Sequence, residues 1–382
     1  MIENNICLLT DSYKVTHHYF YPKGTEKIYS YLESRLGSEF NKTIFYGLQY
    51  IIKKYLEGSV VNQQKIEEAD KLISNHIGED IFNKDGWYYI LDNYDGYLPI
   101  EIKAVPEGTP VNVSNVLMSV ENTDKKSFWL VNYLESLLLQ VWYPSTVATL
   151  SAEVRKLSKF YLEVTGSSKD NLDFMLHDFG YRGASSTESS MLAGSAHLLS
   201  FSGTDTIPAL LIPKNYYNDS NLYGFSVQAT EHSVMTSLGP KGEFDQILNV
   251  GLLWGDGLDY HKIRDILFAM KSNGWAAENI IFGMGGGLHT SVNRDTQRNA
   301  FKCSAQLRDG KWFDIYKNPL DSSKKSKTGR FKLINENNSF KTISIDGYGE
   351  NYLRTVFKNG ELLIEDTFAD IKSKALNYSN FL

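Results

Sequence analysis

Alternation of apolar and polar residues predicts strands in two parts of the chain. Residues 26–34 (EKIYSYLES) place Ile28, Tyr29, Tyr31 and Leu32 between polar positions and predict a strand. Residues 101–117 hold prolines and a glycine among apolar positions, which is typical of short strands joined by turns. Near the other end, two apolar segments flank Lys358-Asn359-Gly360 and predict a hairpin with an Asn-Gly turn.

Helical spacing of apolar residues dominates the middle of the chain. Residues 44–56, 128–141 and 152–164 each carry apolar side chains three or four positions apart, so that they share one face of a helix. A short helix is also predicted at residues 368–376.

The most informative pattern is a strand, a helix and a second strand within residues 250–294. The apolar run 250–254 ends in Gly255-Asp256-Gly257, an amphipathic helix follows at 260–270, and the apolar run 279–282 ends in a glycine-rich turn at 283–287. This order is typical of a parallel βαβ unit. Both glycine turns then lie at the carboxyl ends of adjacent parallel strands, where α/β proteins bind ligands.

Composition and charge narrow the class of protein. The length of 382 residues predicts two or three domains, or one large barrel with an appendage. A composition of 42% hydrophobic and 22% charged residues is that of a folded globular protein and argues against a disordered chain, a coiled coil or a small disulfide-rich protein. A net charge of −6 argues against nucleic acid as a partner. No apolar run approaches the ~18 residues of a membrane span.

Two features predict a cytoplasmic location. The chain has only two cysteines, Cys7 and Cys303, which fits a reducing compartment. Its first residues lack the basic segment and the long apolar segment of a secretory signal.

The residues that could bind a ligand lie mainly near the glycine turns. Their backbone N–H groups could bind phosphate oxygens, and Arg294 and Lys302 could add cationic contacts, although each cation taken alone is more typical of a solvated surface. Asp256 could bind a ribose hydroxyl or a metal-bound phosphate, or could serve an Asx turn or a helix N-cap.

Two further segments combine functional side chains. In residues 177–183 (HDFGYRG), Phe179 could stack on a ring and Arg182 could bind a carbonyl, carboxylate or phosphate, although a core aromatic and a structural arginine are the commoner roles. His232 follows Glu231 and could be a nucleophile, a base or a structural histidine. No spacing of His, Cys, Asp or Glu predicts a metal site.

Ten short motifs, taken together, resemble those of the nicotinamide phosphoribosyltransferases. They follow the family's order over nearly the whole chain: 10–17 (TDSYKVTH), 45–50 (FYGLQY), 144–149 (PSTVAT), 176–183 (LHDFGYRG), 203–206 (GTDT), 231–233 (EHS), 255–257 (GDG), 285–288 (GGGL), 301–304 (FKCS) and 356–360 (VFKNG).

The resemblance implies the α/β fold of type II phosphoribosyltransferases, an irregular α/β barrel with a second, β-rich (α+β) domain, in a head-to-tail homodimer. It implies a reaction that joins nicotinamide to 5-phosphoribosyl-1-pyrophosphate, with Mg²⁺ bound to the pyrophosphate and ATP as an optional phosphate donor. Along the chain we expect an α+β region with the dimer contacts at 1–150, the barrel with the active site at 151–300, and a β-rich return with a terminal helix at 301–382.

The resemblance also assigns roles to individual residues. Phe179 and the partner subunit's Tyr13 would enclose the pyridine ring, and Arg182 would contact the amide oxygen or the phosphate. Asp205 would accept a hydrogen bond from the amide and repel the negatively charged nicotinate. His232 would be the phosphorylated nucleophile. The ribose and phosphates would be bound by the remaining members of the set, which are the partner subunit's Arg35 and, from this chain, Gly255, Asp256, Gly285, Gly286, Arg294 and Lys302.

One departure from the family pattern is large. After Asn249, Ser-Asp-Ser-Tyr-Asp and Arg-Pro-Asp-Ser-Gly motifs are expected, and neither occurs. The missing segment corresponds to two or three βα units at roughly 30 residues each and would leave the barrel incomplete.

Two alternative functions stay open. One is a nicotinate phosphoribosyltransferase, against which Asp205 argues, and the other is a non-catalytic paralogue that binds a pyridine ligand.

Overall fold

A computed structural model describes residues 4–229, 232–237, 253–316, 326–336 and 339–380. The chain forms two compact units, each built from separate stretches of sequence. The first contains the described residues of Met1–Thr149, Asn215–Asp219 and Asn293–Ala375, and the second contains those of Leu150–Lys214, Ser220–Val292 and Leu376–Leu382.

The strands of the described residues are, in chain order, β1 (Thr25–Ser34), β2 (Lys42–Ile44), β3 (Ile100–Ala104), β4 (Pro110–Asn112), β5 (Val116–Asn122), β6 (Leu176–Asp178), β7 (Gly203–Thr204), β8 (Leu253–Trp254), β9 (Ile281–Met284), β10 (Asn299–Arg308), β11 (Lys311–Asp314), β12 (Phe331–Glu336), β13 (Ser339–Ser344), β14 (Arg354–Lys358) and β15 (Glu361–Leu362).

The α-helices of the same residues are α1 (Ser12–Val15), α2 (Leu48–Ile51), α3 (Gln63–His76), α4 (Lys84–Tyr94), α5 (Leu130–Tyr133), α6 (Glu135–Leu138), α7 (Trp142–Val164), α8 (Thr187–His197), α9 (Leu211–Tyr216), α10 (His232–Ser237), α11 (Tyr260–Ser272), α12 (Gly286–His289) and α13 (Phe368–Asn380).

The first unit is built on an antiparallel sheet in the order β11-β10-β1-β5-β3-β14-β15. The long strand β1 pairs with β10 on one side and β5 on the other, and most of its residues are buried. This strand confirms the one predicted at residues 26–34. The predicted hairpin is confirmed by β14 and β15, since Asn359 and Gly360 adopt positive φ angles of 51° and 84°, as a type I′ turn requires.

The structure confirms some of the predicted helices and corrects others. The segment 152–164 is the second half of the longer helix α7, and the terminal helix is confirmed by α13. The prediction for residues 44–56 was wrong at its start, because Ile44 ends strand β2 and the helix begins only at Leu48. Residues 128–141 form α5, α6 and a 3₁₀ turn in place of one helix, although Leu134 between them keeps helical φ and ψ.

The second unit contains a parallel sheet in the order β7-β6-β9-β8. Strands β8 and β9 are parallel neighbours joined by α11, which confirms the predicted βαβ unit. In the described part of the chain these four strands form an open row, with β7 and β8 at its ends. Leu253 and Trp254 of the end strand β8 are 39% and 45% exposed, so no other described strand covers this edge of the sheet. None of the described helices is both long and apolar enough to span a bilayer.

Candidate active site

A cavity of about 660 Å³ opens at the carboxyl ends of the parallel strands in the second unit. It is lined by residues that directly follow β6, β7, β8 and β9. Six residues that were predicted for the site line it together: Phe179, Arg182, Asp205, Gly255, Gly285 and Gly286. They meet although more than 100 positions separate the first from the last, because parallel strands end at one edge of a sheet.

Phe179 is held against its neighbours on two sides. Its backbone N–H donates to the carbonyl oxygen of Met284 at 3.0 Å. Its ring lies 4.7 Å from the ring of His177, with 31° between the two planes. Phe179 also passes so close to Gly283 that a β-carbon there would lie 2.3 Å from the ring. Arg182 is exposed at the rim and has no hydrogen bond or ion pair within the described residues.

Asp205 follows β7 and presents a carboxylate to the cavity. Its backbone N–H donates to the carbonyl oxygen of Asp178, and its side chain remains 43% exposed. The Oδ1 atom lies 3.0 Å from Nε2 of His177 and also accepts a hydrogen bond from the Ser226 hydroxyl. An exposed carboxylate of this kind can accept a hydrogen bond from an amide N–H and disfavours a second negative charge.

A second carboxylate, Asp178, is completely buried under the cavity. It accepts hydrogen bonds from the Gly180 N–H at 2.8 Å and from the Thr204 hydroxyl at 3.1 Å, and His289 Nε2 lies 2.9 Å from Oδ1. Burial alone would raise the pKa of Asp178, but the contacts with His289, the nearby His197 and the hydrogen bond from the Gly180 N–H together outweigh it and lower the pKa below its ordinary value. The pair joins the end of β6 to the end of α12.

Four of these supporting residues were given no role by sequence reasoning: His177, Asp178, Ser226 and His289. His177 and Asp178 lie within the 176–183 motif and His289 follows the glycine turn, so their positions beside the motifs were the available signal. Ser226 had no such signal.

The first unit collects a separate group of cations. Burial lowers the pKa of Lys302 on β10, and the nearby charges of Arg35, Arg294 and Lys14 lower it further, while Glu135 opposes them. The Nη2 atom of Arg35 is buried without a hydrogen-bond partner in the described residues, whereas Nε lies 3.6 Å from Oε1 of Glu33, an ion pair too long for a hydrogen bond. Buried donors are normally paired, so this group is suited to an anion.

Lys14, in this group, forms an ion pair of 2.6 Å with Glu135. Arg294 is exposed, with its Nη2 atom 3.6 Å from Asp295. Of the cations predicted to bind phosphate, Arg294 and Arg35 lie near enough to Lys302 of the same chain to lower its pKa. The predicted role of Arg35 in a partner's site stays a prediction.

Three predicted residues lie outside these groups. Tyr13 is on α1 of the first unit, 60% exposed, and its proposed role in a partner's site stays a prediction. Asp256 is exposed next to Gly255, and the helix N-cap is Asp259, which accepts the Lys262 N–H at 2.8 Å, so the N-cap alternative for Asp256 was wrong. The backbone of His232 begins α10, but its side chain lies outside the described residues.

Comparison with solved structures defines the class of fold. The chain is similar to nicotinate-nucleotide pyrophosphorylase from Pyrococcus furiosus, with a TM-score of 0.57 at 15% identity, over 100% of this chain and 98% of that one. It is also similar to human nicotinic acid phosphoribosyltransferase, with a TM-score of 0.55 at 12% identity, over 98% and 94% of the two chains. These likenesses establish the α/β fold of type II phosphoribosyltransferases.

Sequence comparison identifies the family within that class. The profile "Nicotinamide phosphoribosyltransferase, N-terminal domain" matches residues 5–102, and that of the "Nicotinate phosphoribosyltransferase (NAPRTase) family" matches residues 174–250 and 243–361. Nicotinamide phosphoribosyltransferase of Xanthomonas campestris is 36% identical over 97% of this chain and 98% of its own length. That of Acinetobacter baylyi is 28% identical over 95% of each chain. The chain belongs to the nicotinamide phosphoribosyltransferase family.

The same comparisons support a missing internal segment. The alignment with the Xanthomonas protein runs over 464 positions, although this chain has only 382 residues, so the relative contains residues that this chain lacks. The two matches of the second profile meet at residues 243–250. This is the place at which the expected motifs are absent.

Proposed function

We propose that the chain transfers the phosphoribosyl group of 5-phosphoribosyl-1-pyrophosphate to nicotinamide, forming nicotinamide mononucleotide and pyrophosphate for NAD salvage in the cytoplasm. The pyridine nitrogen would form the new bond to the anomeric carbon while the bond from that carbon to pyrophosphate breaks. The observation that carries the proposal is the cavity in which Phe179, Asp205 and the glycine turn meet.

The two ends of the substrate call for different side chains. Phe179 offers one face to the pyridine ring, and Asp205 can accept a hydrogen bond from the carboxamide. Gly285 and Gly286 leave backbone N–H groups accessible to phosphate oxygens where the short helix α12 begins. Arg294, Lys302 and the partner subunit's Arg35 would supply the positive charge for the phosphates.

The proposal includes a homodimer with shared sites, in which the partner's Tyr13 would cover the second face of the ring. Exposure of Tyr13 fits that role. No group of three His, Cys, Asp or Glu comes together among the described residues, so Mg²⁺ would be held chiefly through the substrate's pyrophosphate, with Asp256 as a nearby carboxylate. His232 would accept a phosphoryl group from ATP.

The test is incubation of the purified chain with nicotinamide, 5-phosphoribosyl-1-pyrophosphate and Mg²⁺, with mass-spectrometric detection of the product. We expect nicotinamide mononucleotide in amounts above those made by a Phe179→Ala variant. The proposal fails if the wild-type chain and this variant give the same background.

A second candidate function rests on the missing segment. A chain that retains the pyridine pocket but lacks part of the barrel could bind nicotinamide without turning it over. Calorimetry separates the two functions, because binding of nicotinamide with no product in the turnover assay would favour the binding protein. A third candidate, nicotinate phosphoribosyltransferase, is disfavoured by the exposed carboxylate of Asp205.

A further inference from the structure

The carboxylate of Asp205 is held by one oxygen only. Oδ1 accepts the hydrogen bond from Ser226 and lies 3.0 Å from Nε2 of His177. Within the part of the chain that the structure describes, Oδ2 has no hydrogen-bond partner. Because Asp205 lines the cavity, this second oxygen is available to a ligand.

The hydrogen bond to Asp205 determines that Nε2 of the His177 ring carries a proton. A carboxylate only accepts hydrogen bonds, so Nε2 must carry the proton that is shared with Oδ1. The imidazole can therefore act only as a donor toward Asp205, in either the neutral or the charged form.

His177 is itself held firmly. It lies in the middle of β6, is buried, and pairs with Gly203 of β7. A β-carbon at Gly203 would lie 2.8 Å from Nδ1 of His177. Because Gly203 has no side chain, the backbone of β7 packs directly against the imidazole ring. The register of two parallel strands thus sets where Nε2 points.

The same imidazole also supports the aromatic side of the cavity. Its ring lies 4.7 Å from that of Phe179. One buried side chain therefore contacts both residues that the proposed function assigns to the pyridine base.

We propose that His177 is a positioning residue that determines the choice of base. By donating from Nε2 to Oδ1, it turns Oδ2 of Asp205 toward the N–H₂ of a carboxamide on the pyridine ring. This inference rests on the proposed function. Its consequence is that preference for a carboxamide depends on the orientation of the carboxylate as well as on its charge.

Three variants separate orientation from packing. His177→Leu fills the space but removes the donor, His177→Gln restores an N–H near the position of Nε2, and His261→Leu makes the same exchange at an exposed site on α11. The measured quantities are kcat and the KM values for nicotinamide, nicotinate and 5-phosphoribosyl-1-pyrophosphate, together with nicotinamide binding by calorimetry.

For His177→Leu we expect the nicotinamide KM to rise about ten- to hundredfold, the range for one hydrogen bond to a charged group. The nicotinate KM and the KM for the phosphoribosyl donor should change little, since the negative charge of Asp205 remains. His177→Gln should recover most of the loss, and His261→Leu should match the wild type. A general structural defect would instead raise all KM values and would not be rescued by glutamine.

The outcomes distinguish this inference from the proposed function. An active wild type whose nicotinamide KM is unchanged in His177→Leu overturns the role of His177 alone. Nicotinamide binding without turnover overturns the proposed function alone, and the His177→Leu effect is then measured as the loss of affinity. A wild type that neither binds nor converts nicotinamide overturns both.

Discussion

At the scale of single residues, two buried carboxylates, one in each unit, have opposite pKa shifts. In the second unit, the pKa of Asp178 is lowered because His289, the nearby His197 and the Gly180 N–H together outweigh burial. In the first unit, Glu107 accepts hydrogen bonds from the backbone N–H groups of Gly47 and Gln49 and from the Tyr217 hydroxyl. Burial nevertheless raises the pKa of Glu107 to about 7. Hydrogen bonds from neutral donors therefore lower the pKa of a buried carboxyl group less than ionisable partners do.

The raised pKa of Glu107 predicts that stability falls as pH rises. The unfolded carboxyl ionises near its ordinary pKa of 4.5, whereas the folded one holds its proton until about 7. Its stabilising effect is thus fully present below pH 4.5 and lost as pH rises through 7. At about 1.4 kcal/mol per pKa unit, the change should amount to a few kcal/mol.

Urea denaturation of the wild type and of Glu107→Gln at pH 4 and pH 8 measures this change. We expect the wild type to lose stability relative to the glutamine variant between the two pH values. A difference in unfolding free energy that is the same at both pH values would refute the assignment.

At the scale of secondary structure, the register and the glycines of the strands place the side chains that we propose to bind the base. Gly283 of β9 leaves the space that the Phe179 ring occupies after β6. A β-carbon at this position would lie 2.3 Å and 2.6 Å from two ring carbons and 2.8 Å from Leu253. The position of the aromatic face is therefore determined by a strand that follows it in sequence by 100 residues.

Gly283→Ala tests this dependence. The added methyl group must displace the Phe179 ring, and loss of one aromatic contact is worth about 0.5–1.5 kcal/mol. The nicotinamide KM should accordingly rise roughly three- to tenfold, with little change in the KM for 5-phosphoribosyl-1-pyrophosphate. Steady-state kinetics gives both values, and the melting temperature shows whether the variant folds. A folded variant with the wild-type nicotinamide KM would contradict the account.

Local patterns predicted the elements better than the contacts between them. Strand β1, the Asn-Gly hairpin and the unit β8-α11-β9 follow from periodicity and turn residues, and the strand-end rule located the cavity. The contact between His177 and Asp205 could not be predicted, because it depends on which strands pair and in which register. The start of the helix after β2 was missed because apolar residues at Ile44 and Phe45 fit a strand as well as a helix.

At the scale of the whole molecule, the chain retains family residues in both units while lacking a segment present in its relatives. The first unit holds the cations Arg35, Arg294 and Lys302, and the second holds the cavity with Phe179 and Asp205. In the described residues the parallel sheet ends at β8, whose Leu253 and Trp254 are exposed. The residues that we propose for base recognition are therefore present although the sheet is open among the described residues.

The central claim is that this chain is specific for nicotinamide because Asp205 faces the base. The most direct measurement is a competition in which equal concentrations of nicotinamide and nicotinate react with limiting 5-phosphoribosyl-1-pyrophosphate, with both mononucleotides quantified by mass spectrometry. We expect nicotinamide mononucleotide to be the major product. Equal amounts of the two mononucleotides, or an excess of the nicotinate product, would contradict it.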